Sequence, residues 1–127
     1  MNINDALDCI EYIYELPEYW QKDSSYKMLC VLKNKYKFSE AKKYSKNNDI
    51  LGYTDWRLPT EIELKDISYC IDVYGITNMM KYVLSNTIKR KKNKKGIVGV
   101  YICDDVYHSG DSDLFDSECE LNVILVR

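Results

Sequence analysis

The chain has 127 residues, of which 46% are apolar and 30% are charged, and its formal net charge is −2. This length accommodates one domain with one continuous core, and the balance of apolar and charged residues excludes an intrinsically disordered chain. A net charge so close to zero provides no overall attraction to nucleic acid or to anionic membranes, so any electrostatic partner has to meet a local patch.

The N-terminal stretch MNINDALDCIEYIY is acidic and lacks the basic and apolar regions of a signal peptide. The five cysteines are odd in number and lie singly among apolar residues, which favours free buried thiols over a disulfide framework. The single histidine, His108, and the absence of a CxxC pair give no zinc-site pattern. No apolar run approaches the roughly 20 residues of a membrane-spanning helix. We therefore expect a cytoplasmic protein with no membrane contact, no metal and no cofactor.

The N-terminal residues have the spacing of an amphipathic helix. Asn4 or Asp5 can cap a helix that runs to about Leu16. Its inner face would carry Ala6, Ile10, Ile13 and Tyr14. An aromatic group then spans the end of this segment, at Tyr12, Tyr14, Tyr19 and Trp20. These rings either pack on the core or form an added interface, which would also allow self-association.

The middle of the chain predicts one buried strand and two helices. MLCVL at residues 28–32 predicts the strand, and Ser39 would cap the helix SEAKKYSKNN. Thr60 and Glu63 have the spacing of a capping box for the next helix. Its expected inner face consists of Ile62, Ile67 and either Cys70 or Ile71, and a further short helix would begin at Thr77.

The last third predicts antiparallel strands. Residues 82–87 and 97–103 flank the run KRKKNKKG, a pattern typical of a strand, a loop and a returning strand. A polar acidic stretch follows at residues 104–120, and residues 121–126 predict a final strand. Helices early and antiparallel strands late indicate an α+β fold rather than a parallel α/β sheet.

The stretch FSEAKKYSKNNDILGYTDWRLPTEIEL, residues 38–64, resembles the hallmark of the DUF1566 family, also known as the C-terminal domain of the Legionella collagen-like adhesin. The hexapeptide DWRLPT matches in full at Asp55, Trp56, Arg57, Leu58, Pro59 and Thr60. Residues 84–87 (LSNT) resemble the family's W-S-S-T strand without its tryptophan, and residues 123–127 (VILVR) resemble its closing strand. The resemblance covers residues 36–127.

This resemblance implies a C-type-lectin-like fold, with helices flanking a twisted antiparallel β-sheet. We expect a single domain over residues 1–127, with an extra N-terminal helix in an extension at residues 1–27. The family has no common catalytic centre, so the resemblance implies a binding module rather than an enzyme.

The hexapeptide also has a structural explanation that does not depend on the family. Trp56 and Leu58 alternate, so both can face the core while Asp55 and Arg57 point outward. The Arg57 guanidinium can hold a carboxylate or several backbone carbonyls. We expect DWRLPT to be a structural motif.

Two charged segments are the candidate binding sites. The basic loop carries six cations in seven residues: Lys89, Arg90, Lys91, Lys92, Lys94 and Lys95. It would contact phosphates or an acidic protein face, or else form a solvated hairpin tip. The acidic loop holds Asp104, Asp105, Asp111, Asp113 and Asp116. It lacks the calcium-loop spacing, and it either presents carboxylates to a basic groove or neutralises the basic run within the fold.

We expect a non-enzymatic module that recognises another protein through loops on this scaffold. An accessory or inhibitor protein of a phage or mobile element, acting on a target that handles nucleic acid, would use both charged segments. The alternative is a carbohydrate- or glycosaminoglycan-binding module of the adhesin type, in which the basic loop meets sulfates. A catalytic pair around His108 ranks last, because neighbours on one loop rarely form a triad.

Overall fold

The computed structural model describes residues 8–21, 25–69, 82–102 and 109–127. Six strands and three helices follow one another along these residues. They are β1 (Ile10–Glu15), α1 (Glu18–Gln21), β2 (Met28–Leu32), α2 (Phe38–Asn47), α3 (Glu61–Ser68), β3 (Tyr82–Lys91), β4 (Lys94–Tyr101), β5 (Ser112–Phe115) and β6 (Ile124–Val126).

The strands form two small antiparallel sheets. One has the order β1-β2-β6 and the other has the order β3-β4-β5. Backbone hydrogen bonds link the two sheets, since the Leu84 N–H donates to the Asn122 carbonyl at 2.9 Å and the Asn122 N–H donates to the Tyr82 carbonyl at 3.3 Å. The predicted α+β class is confirmed.

The strands of the core bury both of their faces. On β2, Leu29 and Val31 enter one hydrophobic cluster, while Cys30 and Leu32 enter a second. Neighbouring residues of β3, β4 and β6 divide between the two clusters in the same way. Continuous apolar runs such as MLCVL are therefore strands covered on two sides, as their length predicts. Helix α3 packs on β3 and β4.

The predicted N-terminal helix is wrong for residues 10–15, which form β1. This strand pairs with β2 in a register that sets Ile13 opposite Cys30 and Tyr14 opposite Leu29. Isoleucine and tyrosine favour extended backbone, and pairing with β2 adds hydrogen bonds that an isolated helix turn would lack. The only described helix before β2 is α1, a single turn in which the Trp20 N–H donates to the Pro17 carbonyl at 3.0 Å. The start of the predicted helix, at Asn4 or Asp5, lies outside the described residues.

The boundaries and inner faces of the other helices are partly as predicted. Helix α2 begins at Phe38, so Ser39 is inside it rather than capping it, and the Glu40 carboxylate accepts from the Lys37 N–H at 3.0 Å. On α3 the expected inward position of Ile62 is wrong, because this side chain is 73% exposed. Ile62 and Ile67 are separated by about 140° around the helix, and the buried apolar residues are Leu64 and Ile67. The helix predicted from Thr77 and the alternatives Cys70 and Ile71 lie outside the described residues.

The charged segments contain more strand than expected. The basic run is not a loop, because β3 extends to Lys91 and β4 begins at Lys94, leaving only a two-residue turn. Within the acidic stretch, residues 112–115 form β5 rather than a loop, because they add hydrogen bonds to the free side of β4.

Cysteine burial agrees only partly with the expected buried thiols. Cys30 is fully buried, and burial raises the pKa of its thiol to about 12, whereas Cys119 is exposed. Both are free. In the part of the chain that the structure describes, every helix is too short and too polar to cross a membrane.

Replacing Gly99 with alanine should destabilise the β3-β4-β5 sheet. A Cβ atom at this position would lie 2.6 Å from Cε2 of Phe115 and 3.2 Å from Cδ1 of Leu121. Overpacking of this kind costs about 1–3 kcal/mol of unfolding free energy, measurable by urea denaturation. The cost of Gly99→Ala should be smaller in a Phe115→Leu background. In that background it is measured as the difference between the double variant and Phe115→Leu alone. An undiminished cost in the Phe115→Leu background would show that the aromatic ring is not the cause.

Candidate functional site: a cationic ribbon held by a buried corner

Residues Asp55–Thr60, called the corner from here on, turn the chain from an irregular segment into helix α3. Trp56 and Leu58 are each only 3% exposed and point into the core, as their alternation predicts. The Trp56 indole N–H donates to the Ile50 carbonyl at 3.1 Å, so this buried donor is satisfied. The corner is therefore held on the core by the packing of these two side chains and by one hydrogen bond.

Arg57 binds the side chain of Glu63 through both guanidinium nitrogens, at 2.7 Å each. Ser25 donates its hydroxyl to the same carboxylate, and the Thr60 N–H donates to it at 2.8 Å. Thr60 in turn accepts from the Glu63 N–H at 3.2 Å, which completes the predicted capping box. Burial raises the pKa of Glu63, but the hydrogen bonds from Arg57, Ser25 and Thr60 outweigh it and lower the pKa to about 2.

The corner joins three parts of the fold through its backbone. The Arg57 N–H donates to the Val126 carbonyl and the Val126 N–H donates to the Arg57 carbonyl, both at 2.9 Å, so the corner lies against β6. The Pro59 carbonyl accepts from the Asn86 N–H at 2.7 Å. The Glu61 N–H, at the start of α3, donates to the Thr87 hydroxyl at 2.9 Å. These last two bonds hold β3 at the point where it leaves the core.

The outer side of the corner carries a second arginine–carboxylate pair. Arg127 contacts both oxygens of Asp55, at 2.6 Å and 3.2 Å, and its guanidinium lies 3.5 Å from the centre of the Tyr53 ring. The hydrogen bond from Arg127 lowers the pKa of Asp55 below its ordinary value. Asp55 is exposed, so its pair with Arg127 is a surface ion pair rather than a buried contact.

The hairpin beyond Thr87 projects the predicted basic residues into solvent. We call residues Lys89–Lys95 the ribbon. All six of its cations are exposed. The turn consists of Lys92, which has a positive φ of 57°, and Asn93. Arg90 lies opposite Lys95 and Lys91 opposite Lys94, so like charges face each other across the hairpin.

Only Lys89 has a counterion within the described residues. Its ammonium lies 2.6 Å from the Glu61 carboxylate, which also pairs with Lys65 at 3.5 Å. The hydrogen bond from Lys89 lowers the pKa of Glu61. Because Glu61 stands at the first residue of α3, this ion pair ties the base of the ribbon to the helix. The five remaining cations make no ion pair with any described residue.

A shallow cavity of about 270 Å³ lies between the ribbon and β5. Three ribbon cations line one side and three β5 residues line the other, with Val98 between them. These residues are Lys89, Arg90, Lys91, Ser112, Asp113 and Leu114. The cavity is large enough for a sulfate, a phosphate or an acidic side chain but small for a drug-sized ligand.

The described residues of the acidic stretch form no ion pair with the ribbon, although Asp113 lines the same cavity. Asp111, Asp113 and Asp116 are exposed on or beside β5, and no described ion pair joins them to a ribbon cation. Asp104, Asp105 and His108 lie outside the described residues. Within the described ranges, no cluster of three histidine, cysteine, aspartate or glutamate side chains has metal-binding geometry.

Two residues of this site were missed from the sequence. The spacing of Glu61 and Lys65 is that of a helical ion pair and could have indicated a surface role for Glu61, but its pairing with Lys89 depends on tertiary structure. Arg127 was predicted only as part of the closing strand. Its contacts with Asp55 and Tyr53 join residues more than 70 positions apart, which no local pattern indicates.

Replacing Glu63 with glutamine should remove a pH-dependent part of the stability. The folded pKa of about 2 lies below the ordinary value of 4.5, so the ionised carboxylate stabilises the fold above about pH 4.5. This contribution is lost as the pH falls toward 2. We expect Glu63→Gln to lower the free energy of unfolding by about 2 kcal/mol at neutral pH, after allowance for solvent screening at Arg57. The difference from wild type should disappear near pH 2, measured by urea denaturation at a series of pH values.

Asp66→Asn is the matched control, because Asp66 is an exposed carboxylate on the same helix. A surface change of this kind should stay within about 0.5 kcal/mol of wild type at neutral pH. A wild-type-minus-variant difference for Glu63→Gln that stays constant from neutral pH down to pH 2 would contradict the assigned ion pair.

No protein-family model matches the chain, and neither any curated protein nor any solved structure matches it. The geometry of the corner and the ribbon is therefore the basis on which a function is proposed.

Proposed function

We propose that this chain is a non-enzymatic module that recognises another protein through the ribbon, carried on a C-type-lectin-like scaffold of the DUF1566 kind. The observation that supports this is a hairpin of six exposed cations of which only Lys89 is paired within the described residues. A partner with an acidic surface would supply the missing counterions. The ribbon is held at its base by the corner, so its cations are presented from a fixed position.

The arrangement of the ribbon carries an energetic cost for the free protein. Like charges directly opposite each other on antiparallel strands are destabilising, and the two pairs Arg90–Lys95 and Lys91–Lys94 are of this type. A hairpin that served only as a connection would be more stable with mixed charges. Repulsion of this kind is relieved when an acidic surface binds, which is why we assign the ribbon to recognition.

The proposal includes the absence of catalysis. Ser85, the buried hydroxyl nearest the ribbon, donates to the Val98 carbonyl at 2.6 Å and accepts from the Thr87 N–H at 3.0 Å, so it maintains the irregular pairing at the base of β3.

The exposed carboxylates at Asp111, Asp113 and Asp116 would suit a basic groove that otherwise holds phosphates. A cytoplasmic inhibitor of a nucleic-acid-handling protein, carried by a phage or mobile element, would use both charged surfaces.

The test is capture of a partner from cells of the source organism. A ribbon variant, in which Lys91, Lys92, Lys94 and Lys95 are replaced with glutamine, should lose a discrete protein that the wild type retains. The matched control replaces four exposed lysines elsewhere, Lys33, Lys35, Lys43 and Lys46, and removes the same charge. Equal loss of capture in both variants, or equal retention, would sink the assignment to the ribbon.

Charge reversal within the ribbon should affect stability and binding in opposite directions. Lys95→Glu sets a carboxylate opposite Arg90 and should raise the free energy of unfolding by about 0.2–1 kcal/mol. The same change should weaken partner capture, because it removes one cation and adds an anion. Urea denaturation and capture measured on the same preparation give both values, with Lys46→Glu as the control on α2. A variant that is stabilised and still captures its partner fully would argue that Lys95 lies outside the contact.

A glycosaminoglycan is the second candidate, and the cavity of about 270 Å³ beside the ribbon favours it. Three cations and one carboxylate, Asp113, line this cavity, so its net positive charge favours a sulfate. On a heparin column, retention that falls steeply in moderate salt and is lost in the ribbon variant would favour the glycan over the protein partner. Equal elution of the ribbon variant and its control would exclude binding of a glycosaminoglycan through the ribbon.

A further inference from the structure

The outer edge of β3 within the ribbon has free backbone hydrogen-bonding groups. Closer to the core this edge is occupied, because the Leu84 N–H binds the Asn122 carbonyl and the Asn86 N–H binds the Pro59 carbonyl. Beyond Asn86, β3 forms no further backbone hydrogen bond on this side with the part of the chain that the structure describes. An edge strand with unpaired N–H and C=O groups is a template for another strand.

The register identifies which groups are free. A two-residue turn is closed by a hydrogen-bonded pair, here Lys91 with Lys94, and such pairs alternate with non-bonded pairs along an antiparallel ladder. Lys89 and Gly96 therefore exchange hydrogen bonds as well. The N–H and C=O groups of Ile88 and Arg90 then face away from β4, toward solvent.

The opposite edge of the same sheet is occupied at Leu114. By the same alternation the backbone groups of Leu114 on β5 point outward, but the Leu114 N–H donates to the Asp113 carboxylate at 2.8 Å. A side chain of the chain itself thus occupies the donor that an added strand would need. The edge of β3 differs in offering two successive outward-facing residues, Ile88 and Arg90, whose N–H groups have no partner among the described residues.

The charge of the β3 edge restricts what can pair with it. A second copy of this chain pairing edge to edge would set Lys89, Arg90 and Lys91 against the same cations, and like charges opposite each other are destabilising. On the edge of β5, which carries the complementary carboxylates, the Leu114 N–H that an added strand would use is already bound by Asp113. An extended acidic segment of a different protein satisfies both the backbone groups and the charges.

We infer that the free edge of β3 at Ile88–Lys91 binds an extended acidic segment of a partner protein by strand addition. This inference rests on the proposed function and specifies its contact. In an antiparallel arrangement the residue opposite Ile88 lies at the C-terminal end of the bound segment. Ile88 is 51% exposed, so the segment that fits is a run of acidic residues followed by an apolar one.

Backbone-modified peptides test this inference without changing the protein. The probe is a fluorescein-labelled synthetic peptide of consecutive glutamates followed by valine, titrated by fluorescence anisotropy. Two further peptides carry N-methyl groups on one or the other set of alternate amides, so all three have the same charge. We expect one methylated peptide to bind at least about tenfold more weakly and the other to bind like the parent, because alternate amides of an added strand face β3.

The matched protein variants are Arg90→Pro and Arg90→Gln. Both remove the same charge, but only proline removes the outward N–H, and proline is tolerated at an edge position whose N–H faces solvent. We expect Arg90→Pro to weaken peptide binding at least about tenfold relative to Arg90→Gln, with circular dichroism and thermal melting confirming that both variants fold.

Equal binding of all three peptides would overturn strand addition while leaving the proposed charge recognition intact. Failure of the parent peptide to bind, or tighter binding of an oligonucleotide or heparin of matched charge, would overturn the choice of an acidic polypeptide. A dimer formed through β3, detected by sedimentation and abolished by Arg90→Pro, would replace the partner with a second copy of the chain. Loss of partner capture in the ribbon variant tests the proposed function separately.

Discussion

The ion pair between Arg57 and Glu63 lies where four segments of the chain meet. Its carboxylate also receives hydrogen bonds from Ser25 and Thr60, and the Arg57 backbone pairs with β6. The Glu63 side chain is 8% exposed and the Arg57 side chain is 42% exposed, so removing Arg57 would leave a buried carboxylate without its charge partner, which costs more than the pair contributes. The pair joins α3 to the corner, and the hydrogen bonds of Pro59 and Glu61 with β3 connect this contact to the point where β3 leaves the core.

The corner could be predicted because its contacts are local. The elements whose structure depends on pairing between distant residues could be predicted only in part. The alternation of Trp56 and Leu58, the capping box and the role of Arg57 all follow from residues within six positions of one another. The strands at residues 28–32 and 124–126 could be predicted because burial on both faces makes them continuously apolar. Residues 10–15 were assigned to a helix because their spacing suits either structure, and only β2, lying beside them in the fold, decides for a strand. Ile62 was predicted on the wrong face of α3, because the helix buries its neighbours Glu63 and Leu64 and so turns Ile62 toward solvent.

The candidate site shows the same division between composition and context. The charge of the ribbon is visible in the sequence, but the sequence alone suggested a loop. The fold determines three further features. The cations lie on paired strands, like charges oppose each other, and the Leu114 N–H on the β5 edge is bound by Asp113 while the outward N–H groups of the ribbon have no partner among the described residues. These are the features on which the proposed contact rests.

The projection of the ribbon has a kinetic consequence. Five extended residues beyond Asn86 carry the turn roughly 17 Å from the point where β3 is anchored, farther than the roughly 8 Å over which charges act at physiological ionic strength. The two residue pairs nearest the turn, Arg90 with Lys95 and Lys91 with Lys94, lie beyond the last β4–β5 pair at Ile97, so β5 does not pair beside them. Exposed charges of this kind steer an acidic surface toward the turn, and we expect the resulting gain in association rate to fall as salt is added.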